Sequence, residues 1–274
     1  MTSIQDKGRH GHAYHAISAA GAMDSDSAQL ANTIIGNDEN YPVIESTSIA
    51  PTIEFLSVGV IALTGAECRY QLNNDVIKNN TAYVIKKGDI LKGGTFTKGL
   101  RGYLAVNGKI KRVSYLGSIS YHSYPHNRII KQSLLKKNDI IEWHSEIKNI
   151  PHTSIHIKNT SSNIIKIKAG PEYSSLSKIN KYQLTNQSYK ITSQSNRMGI
   201  RLNSHPIIAD KRRLDHSVAV LPGIIQLSSS GQLIILLQDS QTTGGYPRIA
   251  YIRDTELSQL NQIRIGTQVQ FKID

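Results

Sequence analysis

The sequence predicts a mainly β protein with a few short helices. Short runs of apolar or β-branched residues recur along the chain, and each is bounded by Gly, Asn, Ser or Pro. Short strands at close spacing with turn residues between them are typical of barrels and sandwiches. The clearest predicted strands are Val58–Leu63, Leu104–Val106, Ile164–Ile167, Val218–Leu221 and Leu233–Leu237.

Residues 24–36 have the pattern of an amphipathic helix. Asp24 is a suitable N-cap, Gly36 is a suitable C-cap, and apolar residues such as Leu30 fall on one face. A second short helix is predicted over Thr255–Gln262, with its first residue as the cap.

The chain of 274 residues carries a formal net charge of +12, which raises the question of nucleic-acid binding. The basic residues are scattered, with short clusters only at Lys109–Arg112, Lys136–Lys137 and Lys211–Arg213. Aromatic residues make up 6%, and no nucleic-acid motif interleaves with those clusters. We therefore expect no nucleic-acid partner.

The single cysteine, Cys68, cannot form an internal disulfide, which favours a reducing compartment and a buried inert thiol. The first residues have no apolar signal-peptide core, and the longest apolar runs are too short to span a bilayer. We expect a cytoplasmic protein without a membrane partner.

A weak internal sequence similarity predicts two related β units. Pro51–Phe55, followed by a strand, resembles Pro222–Gln226, which also leads into a strand. We place an N-terminal β unit with the helix at residues 1–95 and a C-terminal β unit at residues 96–274.

The segment Gln238–Pro247 is the strongest candidate site. It follows an apolar strand and contains Gln241, Thr242, Thr243, Gly244 and Gly245, so short donors and acceptors stand on a backbone that a ligand can approach closely. This composition suits a small polar substrate. The alternative is a solvated turn.

Three other segments carry candidate residues. Asp24 at the helix start suits capping and could also orient a ligand, and Asp6 lies in a second polar segment. Arg197 and Arg201 lie four residues apart, and an Arg can bind a carboxylate or phosphate bidentately, although these residues taken alone favour a surface pair that binds nothing.

Metal and nucleotide motifs are weak or missing. His10, His12 and His15 could bind a metal if the first two point the same way on a strand, but no sequence element completes a tetrahedral set, so we predict no metal site. The sequence contains neither a phosphate loop nor a Gly-x-Gly-x-x-Gly motif. Any ATP used is therefore expected to bind mainly to another protein of a complex.

These segments, taken in order, resemble the allophanate hydrolase subunit 2-like family, a biotin-dependent carboxyltransferase-like family that includes the C subunit of 5-oxoprolinase. The most specific matches are Gly21–Asp24, Arg197–Leu202 and Gln241–Pro247, and the resemblance spans residues 5 to 271. The family usually has Pro at position 10 and Tyr at position 12, so the histidine cluster is not a family feature.

The resemblance implies two cyclophilin-like β-barrel units. It also implies two protein partners, a B-like subunit that binds directly and an A-like subunit, with which such proteins cleave 5-oxo-L-proline to L-glutamate using ATP. The substrate would be a small amide or lactam, and the enzyme a hydrolase active only as a complex.

Within that frame the resemblance suggests a role for each candidate. Arg197 would pair with the substrate carboxylate or acyl phosphate, and Asp239 would act as base or orienter. Gln241, Thr242 and Thr243 would donate to the developing oxyanion, and Gly244 and Gly245 would allow the substrate to approach closely. Tyr246 would form a wall of the site, and Asp6 and Asp24 would support it from the N-terminal half.

Two other functions stay open. One is the carboxyltransferase component of a biotin-dependent urea or amide carboxylase, in which the same pocket would take carboxybiotin. The other is a non-enzymatic regulator that binds a kinase inhibitor resembling the B-like partner.

Overall fold

Two units make up the chain in this computed structural model, which describes residues 1–123, 128–145, 154, 162–208 and 214–274. Met1–Arg9 and Ala20–Asn159 form the first unit, and His10–Ala19 and Thr160–Asp274 form the second. The division differs from the predicted boundary at 95/96, because the strand Lys98–Val106 pairs with strands of the first unit. The basic cluster Lys211–Arg213 lies outside the described residues.

The first unit contains twelve described strands and two helices. They are β1 Thr2–Gln5, α1 Ser25–Ile34, β2 Val43–Thr47, β3 Ile53–Glu54, β4 Gly59–Glu67, β5 Gln71–Leu72, β6 Asp75–Val76, β7 Ala82–Ile85, β8 Ile90–Lys92, β9 Lys98–Val106, β10 Gly108–Ile110, α2 Arg128–Lys131, β11 Leu134–Leu135 and β12 Trp143–Ser145.

A six-stranded antiparallel sheet in the order β11-β1-β2-β9-β4-β7 organises this unit. Ile44, Leu63 and Leu104 lie level across neighbouring strands and belong to one buried core. Ala62 and Ala105 belong to another core with helix α1. The alternation of side chains along each strand therefore buries both faces of the central strands. Strands β3, β8, β5 and β6 form a separate four-stranded sheet, and β10 pairs with β12.

Helix α1 confirms the predicted amphipathic segment. Its N-cap is Asp24, whose side chain accepts hydrogen bonds from the Ser27 amide at 3.0 Å and the Ser27 hydroxyl at 2.7 Å. Ala31 and Ile34 are fully buried against the sheet. Gly36 has a φ of +74°, in the left-handed region that glycine adopts without steric cost, and it directly follows the C-cap.

The second unit contains nine described strands, two helices and two short 3-10 turns. They are the turn Ala13–His15, β13 Ile164–Ala169, the turn Tyr173–Ser175, α3 Lys178–Asn186, β14 Tyr189–Ile191, β15 Gly199–Asn203, β16 Val218–Ala219, β17 Ile224–Leu227, β18 Leu233–Leu236, β19 Thr243–Gly244, β20 Arg248–Ile252, α4 Asp254–Leu260 and β21 Gln268–Ile273.

Seven of these strands close into a barrel in the order β13-β20-β17-β18-β15-β14-β21. Buried residues alternate with exposed ones along β13, where Ile165 and Ile167 are buried and Lys166 and Lys168 are exposed. The short pair β16 and β19 lies outside the barrel order. The mainly β prediction is confirmed, and barrel closure is found in this unit.

The predicted elements mostly recur with shifted ends. Each of the five predicted strands overlaps an observed one. Helix α4 overlaps the predicted Thr255–Gln262, but its N-cap is Arg253, which makes no side-chain capping bond, so the prediction of Thr255 as the cap is wrong. Cys68 is half-buried rather than fully buried, and burial raises the pKa of its thiol. No helix within the described ranges is long and apolar enough to cross a membrane.

The Asp24 cap leads to a stability prediction. Asp24→Ala should lower the free energy of unfolding by about 1 kcal/mol, because two donors of Ser27 lose their acceptor. Urea denaturation measures the loss. Asp24→Asn is the control, since its single amide oxygen can still accept the bond from the Ser27 amide, so it should lose less than Asp24→Ala. Equal losses for both variants would show that capping is not what Asp24 contributes.

Candidate functional site

The segment Gln238–Pro247 connects strands β18 and β20 in the second unit. Its backbone is held from outside, because Thr242 O accepts from Val220 N at 3.0 Å, Gly245 O from Leu214 N at 2.8 Å, and Pro247 O from Leu227 N at 3.0 Å. We call this segment the 238–247 loop. Three of its carbonyls are thus engaged by the protein, which gives the loop a fixed backbone path.

The start of the loop is fixed by a buried ion pair. Arg197 Nε donates to Asp239 Oδ2 and Arg197 Nη2 donates to Asp239 Oδ1, both at 2.9 Å. The Arg197 side chain is 4% exposed and the Asp239 side chain is 0% exposed. Two parallel charge-assisted bonds of this kind are directional as well as strong.

Local structure explains how Arg197 reaches this position. It lies in a turn that precedes β15, in which Met198 N donates to Asn196 Oδ1 at 2.8 Å. Asp239 N donates to Arg197 O at 3.0 Å, so backbone and side chains join the same two residues. Gly199 follows the turn, and a Cβ there would stand 3.0 Å from Ile235 O, so the absent side chain lets β15 approach β18 closely.

The family resemblance implies separate roles for Arg197 and Asp239 toward a ligand, whereas the structure joins the two side chains in one ion pair. One edge of the guanidinium and both carboxylate oxygens are engaged in the pair. Arg201, four residues on, lies on an exposed position of β15 and does not share this buried site. The pair therefore anchors the loop.

A buried amide, which sequence reasoning missed, lies at the other end of the loop. Gln226 on β17 is 1% exposed. Its Nε2 donates to Tyr246 O at 3.4 Å, and its Oε1 accepts from Gln241 Nε2 at 3.4 Å. A Cβ on Gly244 would stand 2.6 Å from Gln226 Nε2, so this glycine permits the close packing. The available signal was a lone amide between apolar neighbours in a buried strand.

Several polar side chains of the 238–247 loop are exposed at its surface. Gln241 and Thr243 are exposed, and Thr242, Gly245 and Tyr246 are partly exposed. Among the described residues, no protein group hydrogen-bonds to the hydroxyls of Thr242 and Thr243. The loop can therefore offer two hydroxyls and one carboxamide to a small polar ligand.

Asp6 lies in the first unit, and its carboxylate accepts four hydrogen bonds from neighbouring residues of the same unit. Its Oδ1 accepts from Gly8 N at 2.8 Å, Ser118 Oγ at 2.7 Å and Ser120 Oγ at 2.5 Å, and its Oδ2 accepts from Ile119 N at 2.8 Å. Three of these four donors come from residues 118–120 and tie them to the end of β1. This arrangement identifies Asp6 as a structural residue within its unit.

Asp24 belongs to a second polar cluster of the first unit, which includes two residues that sequence reasoning missed. Buried Glu45 Oε2 accepts from Met23 N at 2.8 Å and from the Tyr103 hydroxyl at 2.9 Å. The same hydroxyl accepts from Asp24 N at 2.8 Å. Burial, together with the negative charges of Glu45 and Asp24, raises the pKa of Tyr103 well above its usual value. Cross-strand pairing of Glu45 with Tyr103 creates this cluster.

The histidine segment does not have the geometry that a metal site on a strand requires. Residues 13–15 form a 3-10 turn, and His10 and His15 are exposed. No group of three or more His, Cys, Asp or Glu side chains able to hold a metal occurs in the parts of the chain that the structure describes.

A second ion pair fixes the exit from the loop. Arg248 Nε and Nη2 donate to Glu172 Oε2 at 3.0 Å and Oε1 at 2.8 Å, and the Arg248 amide also donates to Oε2 at 2.8 Å. The remaining Arg248 Nη1 donates to Ala219 O at 2.9 Å, which connects β20 to β16. The hydrogen bond from Arg248 lowers the pKa of Glu172 below its usual value of 4.5.

Comparison with known proteins gives matches over almost the whole chain. The family model of the carboxyltransferase domain, subdomain A and B, matches residues 15–273. The C subunit of 5-oxoprolinase from Escherichia coli K12 is 34% identical over 272 residues, covering 98% of this chain and 87% of that protein. The protein of the same name from Haemophilus influenzae is 31% identical over 271 residues, with the same two coverages.

A solved structure also resembles this chain over almost its whole length. The crystal structure of the Kluyveromyces lactis urea carboxylase matches with a TM-score of 0.90 and 27% identity. The match covers 98% of this chain and 26% of that chain, so this chain corresponds to about a quarter of the larger protein.

Removal of either partner of the buried pair should be strongly destabilising. Arg197→Met should lower the free energy of unfolding by about 3–5 kcal/mol, because Asp239 keeps a buried charge without its counterion. The double variant Arg197→Met/Asp239→Leu should lose much less than the sum of the single losses. Arg253→Met, in the exposed pair with Asp274, is the control and should cost about 0–1 kcal/mol. Additive losses in a denaturation cycle would contradict this account.

The Glu172–Arg248 pair predicts a pH dependence. Because the folded-state pKa of Glu172 lies below 4.5, the ionised pair contributes its stability above that pH and loses it as pH falls through the folded value. The difference in unfolding free energy between the parent chain and Glu172→Gln should be constant above about pH 6 and shrink below 4.5. Denaturation series at several pH values measure it, and an equal difference at acid and neutral pH would rule out this linkage.

Proposed function

The chain belongs to the carboxyltransferase family with subdomains A and B, and from this premise we propose that it is one component of an ATP-dependent 5-oxoprolinase. This enzyme would cleave 5-oxo-L-proline to L-glutamate. The observation that carries the proposal is the near full-length match to two relatives named as the C subunit of 5-oxoprolinase. A loop with exposed hydroxyls and a carboxamide, attached to a closed barrel, suits a small polar substrate of this kind.

The chemistry of the lactam explains a need for ATP. An unstrained amide carbon is a poor electrophile, and phosphorylation of its oxygen makes attack by water feasible. Attack of water and breakage of the C–N bond turn the lactam nitrogen into the amino group and leave the phosphoryl group on the new carboxyl as an acyl phosphate. A second water then hydrolyses this acyl phosphate to inorganic phosphate and glutamate. The sequence has no phosphate loop, so we assign the main ATP contacts to partner proteins and substrate positioning or ring opening to this chain.

The 238–247 loop supplies the groups assigned to the substrate. Thr242, Thr243 and Gln241 would donate to the oxygen on which negative charge develops, which is the most effective place for fixed donors. Gly244 and Gly245 would allow close approach, and Tyr246 would wall the site.

The charged candidate residues would support the site by holding the protein structure, without contacting the substrate. The Arg197–Asp239 pair would position the loop rather than contact substrate, because both carboxylate oxygens are engaged with the guanidinium. Asp6 and Asp24 would maintain the first unit through the donors that surround them.

The proposed assembly joins this chain directly to a B-like subunit, together with an A-like subunit, in the cytoplasm. The names of the two relatives, which describe one component of a larger enzyme, support an assembly of several proteins. We propose no nucleic-acid, membrane or metal partner.

A second candidate is the carboxyltransferase component of a biotin-dependent urea or amide carboxylase. The structural likeness to the Kluyveromyces lactis urea carboxylase favours it. The two candidates differ in a measurable requirement, because only the carboxylase needs biotin. Glutamate release from 5-oxoproline that persists when avidin is added would favour the oxoprolinase.

The functional test is reconstitution with the A-like and B-like partners. Glutamate release from 5-oxoproline plus ATP should require this chain, and Thr243→Ala should lower turnover by about 100-fold through loss of an oxyanion donor. Thr185→Ala on helix α3, in the same unit, is the matched control and should keep normal turnover.

The outcomes separate two failures. Absence of glutamate release from the complete assembly would refute the proposed function. Full turnover by Thr243→Ala in an active assembly would refute the residue assignment alone.

A further inference from the structure

We propose that Gln226 is a positioning residue that orients the Gln241 carboxamide to read the cis-amide edge of a lactam. The inference rests on the proposed function, and it names the feature of the substrate that the 238–247 loop recognises. It adds Gln226 to the site and gives Gln241 a role in specificity.

The carboxamides of Gln226 and Gln241 differ in burial, and one hydrogen bond joins them, with Gln241 as the donor. Gln226 is 1% exposed, whereas Gln241 is exposed. Gln241 Nε2 donates to Gln226 Oε1 at 3.4 Å, which is longer than a typical N–H···O bond and makes this contact a weak one. The buried amide therefore selects which end of the exposed amide faces inward.

Gln226 is itself held in one orientation. Its Nε2 donates to Tyr246 O at 3.4 Å, and its Oε1 consequently faces Gln241. Gly244 packs against the same nitrogen, where a Cβ would come within 2.6 Å. The backbone of the loop thus fixes Gln226, and Gln226 in turn fixes Gln241.

This orientation leaves a matched pair of groups on Gln241. A primary amide has two N–H donors, and we assign the one trans to Oε1 to the bond with Gln226. The N–H cis to Oε1 and Oε1 itself then remain side by side for another partner. No described residue donates to Gln241 Oε1. The exposed carboxamide can therefore present one acceptor and one donor together.

A lactam in a five-membered ring has the complementary edge. The ring holds its C=O and N–H on the same side, so its oxygen can accept from Gln241 Nε2 while its N–H donates to Gln241 Oε1. A lactone of the same shape has an oxygen in place of the N–H, and that oxygen would face Gln241 Oε1 without a hydrogen bond. A site that loses a required donor rejects such an analogue.

The test compares two ligands on the assembled complex without ATP. Calorimetry measures the dissociation constants of 5-oxoproline and of the γ-lactone carboxylate that has oxygen in place of its ring nitrogen. The parent complex should prefer the lactam by about 10- to 100-fold. Gln241→Leu and Gln226→Met should each reduce this preference to within about threefold.

The ratio of the two constants is the decisive readout, because a general loss of folded protein affects both ligands equally. Gln194→Leu, an exposed glutamine in the same unit, is the matched control and should keep the parent ratio. If Gln226→Met does not fold, Gly244→Ala displaces the same buried amide and should also lower the ratio.

The possible results lead to distinct conclusions. If Gln241→Leu keeps the parent ratio of the two dissociation constants in a complex that releases glutamate with ATP, Gln241 does not recognise the lactam edge. The proposed function would remain intact. A ratio lowered by Gln241→Leu but not by Gln226→Met or Gly244→Ala would overturn the positioning role of Gln226. A complete complex that neither binds nor cleaves 5-oxoproline would refute the proposed function itself.

Discussion

The buried pair of Arg197 and Asp239 is the constraint on which the candidate site depends. Taking two charges out of water costs several kcal/mol for each ion, and only a well-formed, hydrogen-bonded pair offsets that cost. The two bonds of 2.9 Å satisfy this condition and can form in only one relative orientation. Because Asp239 lies two residues before Gln241, the first exposed residue of the loop, the electrostatics of the interior determine where the exposed part of the loop begins.

The loop is fixed at its far end by weaker but more numerous contacts. Leu227 N binds Pro247 O, Gln226 contacts Tyr246 O, and Arg248 binds Glu172 immediately after the loop. Anchors on both sides lower the entropy that the loop must lose when it binds a ligand. Gln241 and Thr243 remain exposed between the anchors, so preorganised donors stand where a substrate can reach them.

The sequence predicted what depends on local pattern and missed what depends on distant pairing. The cap at Asp24 and the strand at Leu233–Leu236 follow from neighbouring residues, and both were predicted. The partner of Arg197 lies 42 positions away and becomes visible only when β15 pairs with β18. Gln226 was missed for a related reason, since its role arises from a loop that folds back on it. The boundary at 95/96 differed because the pairing of β9 with β2 and β4 is also non-local.

The candidate carboxylates share a property that narrows the mechanism. Asp6 accepts four hydrogen bonds, Asp24 caps a helix, and Asp239 is paired through both oxygens. A general base must reach the attacking water, whereas Asp24 and Asp239 are buried and Asp6 already accepts four hydrogen bonds. Under the proposed function, activation of water is therefore best assigned to a partner protein or to the phosphorylated substrate. This chain then contributes orientation and neutral donors, a division of labour that fits a loop rich in hydroxyls and amides.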